Sequence, residues 1–110
     1  MNIYDTANKL SSEIKASEEY ANYKMAREVI NLRPDLKEEI AKFEGLRYEA
    51  QIMQMQTGKV DEEKMKQIQE IYTKIIEIDE VKKYFEAELK FNVLLADVHK
   101  IIGDAVKDLV

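Results

Sequence analysis

The last third of the chain constrains the fold most. From Val81 onward, residues recur in alternating steps of three and four: Tyr84, Glu88, Phe91, Leu95, Val98, Ile102, Ala105 and Leu109, all apolar except Glu88. A helix returns residues so spaced to one side, and a strand does not. Leu94, Ile101 and Val106 broaden the stripe beyond a coiled-coil seam, toward the wider face that a bundle helix buries. From Asp79 on there is no proline and a single glycine, Gly103, so the spacing predicts one helix. At about 28 residues it would run about 42 Å. A compact globule of this chain's length is only about 34 Å across. The helix is therefore expected either to stretch the fold or to run into a partner.

Composition narrows the class. Of 110 residues, 35% are charged, one is proline and three are glycine, which leaves little for sheets joined by tight turns. Ala, Glu, Lys, Leu, Ile, Met and Gln dominate, and these favour helix. The length predicts one helical domain, 1–110. The net charge is −5, and the acidic excess is spread over both halves, with no basic stripe. Direct binding to nucleic acid or to an anionic membrane surface is therefore not expected. With no cysteine there is no disulfide and no thiolate metal site. The first ten residues lack a basic segment and an apolar core, and the longest apolar run is Val93–Ala96. Neither a signal peptide nor a membrane span is expected, and a soluble, cytoplasmic protein is.

Earlier segments supply further helices. Ile3, Ala7, Leu10, Ile14, Ser17 and Ala21 form a thin stripe of modest residues, which predicts packing against something larger. Ser17 followed by Glu18 and Glu19 reads as an N-cap with acids in the first turn, so the helix should break there and restart. Tyr20, Tyr23, Met25, Val29 and Leu32 would belong to the restarted helix. Pro34 ahead of Asp35, Glu38 and Glu39 is a helix start. That helix carries Ile40, Phe43, Leu46, Ala50 and Met53 on one face. Gly45 within it predicts a close helix crossing. Its end, where Gln51, Gln54 and Gln56 mix with Ile52, Met53 and Met55, is either a solvated terminus or a patch that accepts a partner. Gly58 suits a left-handed cap, Asp61 an N-cap, and Met65, Ile68, Tyr72 and Ile75 the next apolar face. Asp79 is expected to cap the last helix. The chain reads as two helical hairpins in an all-α, elongated bundle of four to five helices with a long C-terminal helix.

Chemistry is sparse. His99 is the single histidine, and the position three before it is Ala96, so no di-iron half-motif forms. The Gly58-Lys59 pair lacks the rest of a phosphate loop. Most carboxylates fall in first turns or on polar faces. Glu88 and Asn92 lie on or beside the apolar stripe; a polar group there can snorkel, pair with a base, or fix the register of a partner. An enzyme or small-ligand binder would have to gather Tyr72, Glu88, Asn92 and His99 into a carboxylate–histidine cluster. The alternative is an interaction protein with no catalytic, cofactor or metal residues. Its candidate core or interface seam is Phe91, Leu94, Leu95, Val98, Ile101, Ile102, Ala105 and Leu109.

The opening N-I-Y-D-T-A-N-K-L-S, the Ser17-Glu18-Glu19-Tyr20 restart, the 48–59 stretch ending in Q-T-G-K and the final F-E-A-E-L-K-F-N-V-L-L-A-D-V-H-K-I-I occur in this order over nearly the whole chain. Together they resemble the YlbF/YmcA family of small helical bacterial regulators, in its short, cysteine-free, YheA-like branch. The resemblance implies a cytoplasmic all-helical homodimer without enzymatic activity. It also implies roles like those of relatives that regulate competence, sporulation and biofilm formation by modulating mRNA processing. Partners implied are related family members or an endoribonuclease complex. Some relatives hold iron–sulfur clusters through cysteine-rich tails; this chain has no cysteine, so that property does not carry over.

Overall fold

A computed structural model describes residues 2–109. Among them are five α-helices and no strand: α1 (Ile3–Lys15), α2 (Glu18–Asn31), α3 (Pro34–Thr57), α4 (Glu62–Ile75) and α5 (Asp79–Val106). A last 3-10 turn spans Lys107–Leu109. The all-α expectation with a long C-terminal helix holds, and α5 has its full expected length.

Local chemistry sets the boundaries. The Asn2 side chain accepts the Asp5 N–H at 2.9 Å and starts α1. Ser17 both ends α1 and begins α2: its hydroxyl donates to the Ile14 carbonyl at 2.6 Å and accepts the Tyr20 N–H at 3.1 Å. One side chain thus satisfies backbone groups of two helices. Pro34 occupies the first turn of α3, where a missing N–H is harmless. Gly58, at φ 72°, closes α3 in the left-handed region, with its N–H on the Gln54 carbonyl at 2.9 Å. Asp61 then accepts the Lys64 N–H at 3.1 Å. Asp79 lies one residue inside the expectation: it is the first residue of α5, and the Ile78 carbonyl receives the Val81 and Lys82 N–H groups.

The chain divides into two compact units, Met1–Glu28 with Lys83–Val110, and Val29–Lys82. The second holds nearly all the fully buried side chains: Ile30, Leu36, Ile40, Phe43, Ala50, Ile75 and Val81. Its α3 and α4 pack closely along their lengths as a hairpin. The Phe43 and Tyr72 rings meet at 5.8 Å, and Lys64–Glu49 and Lys74–Glu39 ion pairs cross the hairpin at 3.3 and 3.5 Å. Each fully buried Ile, Leu or Phe contributes about 1.5–3 kcal/mol. Arg33 closes the unit's other end. It grips Asp35 through Nε and Nη2 and donates to Glu80 through Nη1. The Arg33 hydrogen bond holds the Asp35 carboxyl below its usual range.

The first unit is built on rings. Tyr23 of α2 lies 5.8 Å from Tyr84 and 5.7 Å from Phe91 of α5, and Tyr20 meets Phe91 edge-on at 6.0 Å. No two helices of this unit approach as closely as α3 and α4 do; long aromatic side chains span the wider gap. Tyr84 is its one fully buried apolar residue among those described.

Two expectations need correction. Among the described residues one helix pair, α3 and α4, packs as a close hairpin, where two hairpins were expected. A Cβ built on Gly45 would meet nothing within 4 Å, so no close crossing within the chain explains that glycine. On α2, Tyr20, Tyr23, Ala26 and Ile30 face inward, whereas Met25 and Val29 are exposed, as is Leu32 just past the helix end.

Candidate interaction surface

Along α5 the apolar stripe loses cover step by step. Val81 is 0% exposed and Tyr84 7%. Phe91, Leu94, Leu95 and Val98 are half-buried, the first of them under Tyr20 and Tyr23. Beyond Val98 every described residue is exposed: Ile102 reaches 54%, Ile101 70% and Leu109 87%, and Ala105 and Val106 are open too. None of the eight seam residues read from the sequence is fully buried, and Val110 lies outside the described residues.

The uncovered part is chemically uniform. At roughly 100° per residue, Leu94, Leu95, Val98, Ile101, Ile102, Ala105 and Val106 fall within an arc of about 140°. Asp97, Lys100 and Asp104 fall outside that arc and Lys90 at its margin, so no charge lies within the open face between Phe91 and Val106. A contiguous apolar face of this kind marks a protein contact.

A second open surface lies on the α3–α4 hairpin. A groove of about 400 Å³ runs between the two helices, floored by Phe43, Ala50 and Ile68 and edged by Val60, Met65 and Tyr72. The Arg47 guanidinium sits at its side, 5.3 Å from the Phe43 ring. Neither Met65 nor Tyr72 was singled out as surface by the sequence; both keep helical register with core residues and so read as core. The glutamines Gln51 and Gln54 also line the groove, while Met55, the most exposed of the expected methionine patch, stands outside it.

The residues proposed for chemistry are not gathered on one unit. Glu88 is half-buried and accepts the Tyr23 hydroxyl at 3.4 Å. Asn92 and His99 are exposed on α5, and Tyr72 belongs to the α3–α4 hairpin against Phe43. Among the described residues no three His, Asp or Glu side chains are placed to hold a metal ion. No described helix is long and apolar enough to cross a membrane.

Among the described residues, five helices, a small core, a bare apolar helix end and an open groove make a small all-helical protein. The chain belongs to the YlbF/YmcA family: the model described as control of competence regulator ComK, YlbF/YmcA, matches residues 3–107. A UPF0342 protein of Clostridium novyi (strain NT) is 37% identical over 109 residues, covering 98% of this chain and 95% of its own. A UPF0342 protein of Symbiobacterium thermophilum is 34% identical, covering 94% and 93%. Among solved structures, a protein of unknown function (DUF964) from Bacillus stearothermophilus shares the fold, with a TM-score of 0.81 at 18% identity over 97% of this chain and 94% of that one. Bacillus subtilis RicA, solved in complex with RicF, aligns with a TM-score of 0.62 at 22% identity over 96% and 94%.

Proposed function

We propose that this chain is a non-enzymatic, cytoplasmic interaction protein that works as a homodimer and regulates by binding other proteins. The observation that carries the reading is the bare apolar end of α5, from Val98 to Leu109. An apolar face whose charges lie at or beyond its margins can recognise apolar protein, and little in it suits a reaction.

The finer role follows the family. We place the protein among regulators of competence, sporulation and biofilm formation, acting through mRNA processing with related family members or an endoribonuclease complex. The RicA–RicF complex supports a contact of this general kind, because a fold neighbour there binds another protein. Affinity capture from the native bacterium, with wild type beside Ile102→Glu, tests the reading. Specific recovery of a family member or an endoribonuclease by wild type alone is expected. Recovery of nothing beyond the bait would count against an adaptor.

A further inference from the structure

We propose that the exposed end of α5 seats in the α3–α4 groove of a second copy of this chain, each subunit giving one helix end and receiving one. This rests on the dimer reading above and adds which surface of the partner α5 meets. Each chain offers a bare apolar helix end and a groove with an apolar strip bordered by Arg47, Gln51, Gln54 and Gln69, and this one contact, made twice, covers both. It is the closed, self-complementary form that two-fold symmetry demands.

The dimensions agree. Between Phe43 and Gln54, the groove follows α3 for about 16 Å, and the open face of α5 from Val98 to Leu109 runs about the same distance. A helix docks in a groove through anchors three, four and seven residues apart. Val98, Ile101, Ile102, Ala105 and Leu109 present that spacing; the branched Val98, Ile101, Ile102 and Leu109 are the anchors for Phe43, Ala50 and Ile68, and Ala105 lets the helix approach closely.

The rims agree as well. The half-open Met65 is an adaptable thioether at the edge, suited to closing around branched side chains. Arg47 is the one cation lining the groove, and its guanidinium lies over the Phe43 ring. Asp108 lies seven residues after Ile101, at the margin of the apolar arc, and is exposed. It offers the complementary charge where the groove's own charge lies.

The chain has no cysteine, so engineered thiols report without background. Chains carrying Ile102→Cys and chains carrying Met65→Cys would be purified separately, mixed to exchange subunits, and treated with a short bismaleimide. Mass spectrometry then identifies the products. Both positions are about half exposed, so neither substitution threatens folding. Val106→Cys with Gln69→Cys serves as a second pair. The expected result is a covalent dimer joining the two different chains, at least several-fold above either variant alone. Self-linked Ile102→Cys without a mixed product would overturn the groove assignment, and the dimer would then be an α5–α5 pairing. A dimeric mass with neither product from either pair would overturn it too. A monomeric mass would overturn both this inference and the dimer reading.

Discussion

Replacing Ile102 by glutamate separates an interface from a core. Ile102 is 54% exposed in the single chain, so its removal should change monomer stability by no more than about 0.5 kcal/mol, as at an ordinary surface site. At a dimer contact the effect is far larger. Losing the burial of the remaining isoleucine surface costs about 1 kcal/mol per subunit. Placing an unpartnered carboxylate there adds about 1–3 kcal/mol. A two-fold interface contains the site twice, so the dimer loses about 4–8 kcal/mol, a factor of about 10³ or more in Kd. Light scattering across protein concentration reads the association. Urea unfolding well below the dimer's Kd, followed by circular dichroism, reads the monomer. The expected variant is folded, helical and monomeric at concentrations where wild type is dimeric. A variant that stays folded with unchanged association would refute the assignment of this face. One that unfolds even as a monomer would show that Ile102 is internal core.

Other outcomes follow from single contacts. Ile75→Ala, at one of the most deeply buried positions, should cost about 2–4 kcal/mol and lower the urea midpoint. Ser17→Ala removes the cap of α2 and the link to Ile14, and should cost about 1 kcal/mol with a fall in helicity by circular dichroism. Gly45→Ala meets open space inside a helix, so it should raise stability by up to about 1 kcal/mol; a destabilised variant would mean that a second subunit approaches there. Arg33→Gln should move the Asp35 carboxyl back toward its ordinary range in an NMR pH titration. Because the folded value is depressed, the pair's contribution is present above the unfolded value, about 3.9, and is lost as pH falls through the folded one.

What the sequence disclosed, it disclosed through local chemistry. Ser17, Gly58 and Asp61 set helix ends by hydrogen bonds to groups three or four residues away, and Pro34 by its fixed φ and missing N–H, so their roles can be read without the fold. The α5 stripe was equally plain, since period depends on neighbours in the chain. Burial does not. Whether Leu95 or Ile102 is covered depends on residues far away in sequence, and Tyr20 and Tyr23 reach only the first turns of the stripe. For the same reason the sequence left the inward side of α2 open: Met25 is as apolar as Ile30, and only the packed structure decides between them. The α3–α4 groove left no mark in the sequence. Its edge residues Met65 and Tyr72 keep the register of core, and it opens because of the distance between two helices rather than a motif.

The uncovered end of α5, which first distinguished this sequence, is also where the account is most exposed. The most direct test is the solution mass of the unmodified chain, measured by sedimentation equilibrium over a wide concentration range. The account predicts a species of about twice the 12.9 kDa chain mass, dissociating only on dilution. A mass of 12.9 kDa at every concentration would contradict it.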